Sequence, residues 1–206
     1  MKVVVTDCGA GNLASVCKAL RFVGAAPSLA AGASAIAGAG AIVIPGVGNF
    51  ESMRGLAGPW RDAIAAAIGH GVPVLGICLG MQWLFEGSRE APLVPGLGVM
   101  AGFNTKLAGQ VKVPHVGWNS LERTGRRSVL LRGIADGATV YFTHSYAAPV
   151  TEAAVATTRH GREFASTVEE DRVFGVQWHP EKSGAVGLAV LSNFVAFARE
   201  TAETAC

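Results

Sequence analysis

Val72-Pro73-Val74-Leu75-Gly76-Ile77-Cys78-Leu79-Gly80-Met81-Gln82 runs from an apolar strand pattern, through a cysteine bracketed by glycines, into a helical pattern. A short apolar run bounded by turn residues reads as a strand buried on both faces, and such strands belong to parallel sheets. Gly76 and Gly80 flank Cys78 as G-x-C-x-G, the nucleophile-elbow spacing with sulfur in place of oxygen. A sharp strand-to-helix turn crowds the backbone on both sides of the nucleophile, so glycine is needed there. The turn lifts the thiol clear of the sheet and sets it at a helix N-terminus, where the thiolate is favoured. The backbone N–H of Leu79 would then point to where an oxyanion forms.

Working outward, residues 2–6 and 42–44 are two more buried-strand runs, and Leu13, Val16, Cys17 and Leu20 recur at helical spacing. Residues 60–68 read as a helix, with Ile64 and Ile68 one turn apart. This rhythm predicts an α/β fold with a largely parallel sheet covered on both faces. The second half offers short strands at 111–113, 129–131, 140–143, 155–158, 164–168 and 173–177, which favour antiparallel hairpins and make the sheet mixed. Residues 187–198 close the chain as a helix, with Leu188, Leu191 and Val195 on one face. No repeat, low-complexity linker or boundary divides the chain, so residues 1–206 are read as one domain.

The bulk composition narrows the function. Half of the residues are hydrophobic and 16% are charged, which supports a packed core and excludes disorder. A net charge of +2 without a Lys/Arg run argues against a nucleic-acid partner. The cysteines at 8, 17, 78 and 206 show no metal-ligand spacing, so neither a metal nor another cofactor is expected. The N-terminal residues read as a strand rather than a signal peptide, which suggests a reduced, cytoplasmic setting. Residues 63–85 carry no Asp, Glu, Lys or Arg over a membrane-spanning length, but Gly69, Gly71, Pro73, Gly76 and Gly80 break that stretch into several elements.

A cysteine nucleophile needs a base, and the base needs a group to orient it. Gln177-Trp178-His179-Pro180-Glu181-Lys182 supplies both: His179 emerges at a strand end, and Glu181 lies two residues on, able to reach back to the ring. His70, His115, His144 and His160 compete as bases, but none is followed by such an acid. Pro45-Gly46-Val47-Gly48-Asn49-Phe50, after a buried strand, fits the second half of an oxyanion hole and lacks the G-K-[ST] ending of a phosphate loop.

Together these segments resemble the class I (triad) glutamine amidotransferases. Within that family the chain is most similar to the glutaminase subunits of imidazole glycerol phosphate synthases. The resemblance runs nearly end to end, through Asp7-Cys8-Gly9-Ala10-Gly11-Asn12-Leu13, the 45–48 loop, the elbow, His115-Val116-Gly117-Trp118-Asn119, Phe142-Thr143-His144-Ser145-Tyr146 and His179-Pro180-Glu181-Lys182-Ser183. Cys8 departs from the Tyr usual in that family.

The resemblance implies a three-layer, flavodoxin-like α/β/α sandwich and hydrolysis of L-glutamine through a Cys78 thioester. In it His179 is the acid and base, Glu181 orients the ring, and the Val47 and Leu79 N–H groups form the oxyanion hole. Gly48, Gln82, Ser145 and Tyr146 match glutamine-binding positions. A (β/α)8-barrel cyclase subunit is the implied partner, receiving ammonia in a heterodimer, with Asn12, Trp118 and Lys182 near the interface. The alternatives are the glutaminase of another class I amidotransferase, a stand-alone γ-glutamyl cysteine hydrolase, and an interaction subunit without catalysis.

Overall fold

The computed structural model describes residues 1–7, 12–30 and 32–204. The first half alternates strand and helix: β1 (Lys2–Thr6), α1 (Leu13–Phe22), β2 (Ala26–Ala30), β3 (Ala41–Ile44), α2 (Pro59–Gly69), β4 (Val74–Ile77) and α3 (Leu79–Leu84). Strands then dominate: β5 (Phe85–Ser88), β6 (Met100–Lys106), β7 (His115–Ser120), β8 (Glu122–Arg123) and β9 (Thr139–His144). The last are β10 (Tyr146–Ala147), β11 (Ala154–His160), β12 (Arg162–Glu170) and β13 (Val173–Val176), before α4 (Gly184–Thr204).

Eight strands form one sheet in the order β2-β1-β3-β4-β13-β12-β11-β8. Neighbours from β2 to β13 run parallel, and those from β13 to β8 run antiparallel. Strand side chains alternate between faces. Val3 and Val5 therefore pack with Val16 and Leu20 of α1 and with Leu191 and Phe194 of α4. Val4 points to the opposite layer, with Ile64 of α2 and Met81 and Leu84 of α3. The result is the expected α/β/α sandwich around a mixed sheet. Two small sheets, β10-β6-β5 and β7-β9, lie outside it.

Two expected strands are absent. Residues 129–131 form a turn, because their N–H groups find a buried carboxylate rather than a neighbouring strand. Glu169 accepts from Val129 N at 2.8 Å and Leu130 N at 2.9 Å, while Leu131 N donates to Ser128 Oγ. Residues 111–113 pair with no strand and lead into the cis Val113–Pro114 bond. Conversely, β2 escaped the reading because Pro27 interrupts it, which an edge strand tolerates.

The topology places the site. Strands β4 and β13 are parallel neighbours with Ile77 opposite Val176, so their C-terminal ends emerge side by side. Ligand sites of open α/β sheets lie at such ends. Among the described residues, no helix is long and apolar enough to cross a membrane.

Candidate active site

Cys78 stands between β4 and α3 with φ 54° and ψ −108°. A residue with a Cβ pays about 1–3 kcal/mol for such a backbone, and holds it only when its surroundings fix it. Here Cys78 N donates to Val176 O at 2.7 Å, and Cys78 O accepts from Gln82 N at 3.1 Å. The flanking glycines have no substitute. A Cβ on Gly80 would lie 1.8 Å from the Ile44 carbonyl oxygen, and one on Gly76 would lie 2.7 Å from Gly80 backbone.

His179 follows β13 by three residues and is 1% exposed. Its N–H donates to the Tyr141 carbonyl of β9 at 2.9 Å. The Pro180–Lys182 turn brings Glu181 back to the ring, where Nδ1–H donates to Oε1 at 2.9 Å. Ser183 braces the same corner, donating to His179 O at 2.7 Å and accepting from Tyr141 N at 3.0 Å.

The imidazole is pushed up to about 10. Burial works against the charge, but the charge and hydrogen-bonding capacity of Cys78, then of Glu181, outweigh it. Nε2 forms no hydrogen bond of ordinary geometry within the protein, so that edge of the ring is left to the thiol and to whatever binds beside it.

A cavity of about 260 Å³ opens at the elbow, a size suited to a small ligand. It gathers Val47, Gly48, Leu79, Gln82, Ser145 and Tyr146 around Cys78. His179 and Glu181 do not line it; they sit buried beyond the thiol. The Leu79 N–H does not point freely into the cavity, because it donates to the Gly46 carbonyl at 3.3 Å.

The sequence reading assigned no role to Glu90, Thr143 or Gln177, and weighed His144 only as a competing base. Glu90 lines the cavity and accepts from Phe50 N at 2.8 Å. Thr143 O faces the thiol at 3.9 Å, and Gln177 Nε2 approaches Sγ at 3.7 Å. Glu90 stands in a loop with no local pattern to announce it. Gln177 stands two residues before His179, directly after the strand β13 that runs beside the elbow, and that adjacency was a usable signal.

A family model described as Glutamine amidotransferase class-I matches residues 4–197. The chain belongs to the class-I glutamine amidotransferases. It is 46% identical over 198 residues to the imidazole glycerol phosphate synthase subunit HisH of Thermococcus kodakarensis, covering 93% of this chain and 98% of that one. The same subunit of Deinococcus radiodurans is 46% identical over 205 residues, covering 94% and 92%. A solved glutamine amidotransferase superposes with a TM-score of 0.74 at 18% identity, covering 95% of this chain and 98% of its own, which speaks to the fold alone.

The three residues expected near a partner in this amidotransferase lie apart from the cavity lining. Trp118 on β7 is 58% exposed, and its ring meets that of Tyr141 edge-on at 6.0 Å. Lys182 Nζ lies 5.7 Å from the same Tyr141 ring. Asn12 caps α1 by accepting from Ser15 N at 3.3 Å. Residues 8–11 of the opening motif, Cys8 included, lie outside the described residues. Among the described residues, no group of three or more His, Cys, Asp or Glu side chains is placed to hold a metal ion.

Proposed function

We propose that the chain is the glutaminase subunit of an imidazole glycerol phosphate synthase, releasing ammonia from L-glutamine for a partner subunit. The observation that carries this reading is the elbow cysteine beside a buried imidazole held by Glu181, in a chain alike over nearly its whole length to subunits of that synthase.

Glutamine would lie in the cavity with its amide carbon at Sγ. The α-ammonium group has Glu90 as its charge partner. Gln82 spends its two N–H bonds on Tyr146 O at 2.7 Å and Gln177 Oε1 at 3.0 Å, which leaves its buried Oε1 unpaired and open to a substrate N–H. Gly48, Ser145 and Tyr146 complete the walls.

The Cys78 thiolate attacks the amide carbon, and His179, already protonated, hands its proton to the departing ammonia. Acylation removes the negative charge of Cys78, the first of the influences that raise the imidazole. Its basicity falls accordingly, which suits it to take a proton from the water that hydrolyses the γ-glutamyl thioester. Val47 and Leu79 N–H groups would hold the oxyanion once the 45–48 loop turns the Gly46 carbonyl away from Leu79. That requirement predicts low glutaminase activity in the isolated subunit and a rise when a partner reshapes the loop.

The partner in this reading is a (β/α)8-barrel cyclase in a cytoplasmic heterodimer, docking on the side of Asn12, Trp118 and Lys182. Passage of ammonia inside the complex matters because ammonia in neutral water is mostly ammonium, which is no nucleophile. The test is Cys78→Ala in the reconstituted synthase. Glutamine-dependent synthesis should vanish while synthesis from ammonium salts persists. Equal loss of both activities would contradict ammonia transfer, and full glutaminase activity of the wild-type chain alone would favour a stand-alone hydrolase.

A further inference from the structure

A chain of hydrogen bonds leads from β7 to the nucleophile, and each link has only one possible direction. Asn119 is oriented at its outer end: Oδ1 accepts from Ser120 N at 2.8 Å, so Nδ2 donates, to Arg159 O at 3.1 Å and to His115 Nε2 at 3.3 Å. With Nε2 accepting, the neutral His115 ring carries its proton on Nδ1 and gives it to His144 Nε2 at 3.1 Å. His144 in turn donates from Nδ1 to the Tyr146 carbonyl at 2.9 Å. Burial holds both rings well below the ordinary imidazole range, in keeping with a pairing that a second proton on either ring would set donor against donor.

The Tyr146 carbonyl is where this string meets the site. A carbonyl can only accept, so the amide end of Gln82 that touches it at 2.7 Å must be the nitrogen. The same nitrogen reaches Gln177 at 3.0 Å, which must therefore present its oxygen. Gln177 is left with its own nitrogen toward Cys78 Sγ, at 3.7 Å. The amide is fully buried. Opposite it, the Thr143 carbonyl lies 3.9 Å from Sγ. One neighbour serves the thiol, which has a proton to donate; the other serves the thiolate, which has only lone pairs to offer.

We propose that Gln177 is a positioning residue for the nucleophile, stabilising the Cys78 thiolate through an N–H whose direction is set by the Tyr146 carbonyl acting through Gln82, with the His115–His144 pair holding that carbonyl in place. The proposal rests on the glutaminase reading for its purpose, but not for its test. A donor to an anion is worth more than a donor to its neutral acid, so loss of the Gln177 N–H selectively penalises the thiolate.

The experiment is the pH dependence of Cys78 alkylation by iodoacetamide, resolved by peptide mass spectrometry from the other cysteines, in the intact chain. Gln177→Met, close in shape and without a donor, should raise the alkylation midpoint by about one pH unit, equivalent to about a tenfold loss of thiolate at a fixed pH below it. For the histidines, two isosteres separate function from packing. His144→Asn places its amide nitrogen where Nδ1 was and keeps the donor to Tyr146 O, so its midpoint stays with wild type. His144→Gln puts its amide at the Nε2 position, loses that donor, and shifts the midpoint in the direction of Gln177→Met.

An unmoved midpoint in folded Gln177→Met overturns the role of Gln177. Equal midpoints in the two His144 variants overturn the role of the histidine pair, and they decide the matter if Gln177→Met does not fold. Alkylation needs neither glutamine nor a cyclase, so its failure is distinguishable from failure of the synthase reading, which the ammonium-salt experiment tests separately.

Discussion

Two buried histidine sites touch the same strand, β9, and they differ in charge: one holds an imidazolium, the other a neutral pair. At one, the Tyr141 carbonyl of β9 fixes His179, whose imidazole is raised to about 10 by Cys78 and Glu181 against the pull of burial. At the other, His144 of β9 and His115 of β7 are lowered, to about 3 and about 4, first of all by burial. Removing water disfavours the charged ring in both places. Only where an acid and a thiol share the buried space does the imidazolium win. The protein thus holds a charged ring at one site and a neutral, directed donor at the other, using the same residue type. The charge on His179 is itself among the influences that keep His144 neutral.

The largest expected effect comes from making the first site resemble the second. Glu181→Gln keeps a group that can accept from Nδ1–H at 2.9 Å but removes the charge. The His179 pKa should fall, as followed by NMR titration of the ring protons. Glutaminase turnover in the reconstituted complex should drop about 10²- to 10⁴-fold. Wild-type turnover with a lowered His179 pKa would show that the charged ring is not needed for the proton transfer assigned to it.

The second expected effect follows from linkage, and the two sites act at opposite ends of the pH scale. The lowered pKa values of His115 and His144 mean that the unfolded chain binds protons the folded one refuses. Their contribution is present above about 6.5 and is lost as pH falls toward about 4 and about 3. Each costs at most about 1.4 kcal/mol per pH unit within that window. His179 has the reverse sign: its contribution is whole below about 6.5 and is lost as pH rises through about 10. His144→Asn removes one acid-sensitive group and leaves the His115 N–H without its acceptor. Its stability at pH 7 should be lower by about 1–3 kcal/mol, with a shallower decline between pH 6.5 and 4 in urea titrations. A steeper decline than wild type would mean that His144 is not neutral in the fold.

The difference between the sites also explains what the sequence made legible. His179 could be found because its partners are local or patterned: Glu181 is two residues away, and Cys78 sits in a glycine-bracketed elbow whose spacing follows from backbone crowding. Strands β1, β3, β4 and β13 of the parallel half were readable for the same kind of reason, since strands buried on both faces are continuous apolar runs. His115 and His144 are 29 residues apart and meet only through the cross-strand pairing of β7 with β9. Nothing in either local sequence announces that pairing. The turn at 129–131 was misread because its apolar side chains mimic a strand, while the group that claims its backbone, Glu169, lies about 40 positions away. Local spacing reveals residues that act with their sequence neighbours, and long-range pairing hides the rest.

The smallest effect on the isolated chain should come from Trp118, which lies on the same ribbon as His115 but faces outward. Its ring is 58% exposed and leans on Tyr141, whose carbonyl holds His179. A ring so exposed adds little to folding, so Trp118→Ala should change stability by no more than about 1 kcal/mol and leave both histidine sites at their wild-type titrations. Binding to the cyclase, measured by titration calorimetry, should weaken by about 2 kcal/mol or more if this aromatic anchors the partner face. Unfolding of the isolated variant would make Trp118 a packing residue. Unchanged affinity with unchanged stability would move the partner face elsewhere on the surface. Loss of affinity alone would place the docking surface one strand away from the carbonyl that holds His179, leaving the neutral pair as the fixed part of the ribbon and Tyr141 as the part a partner can reach.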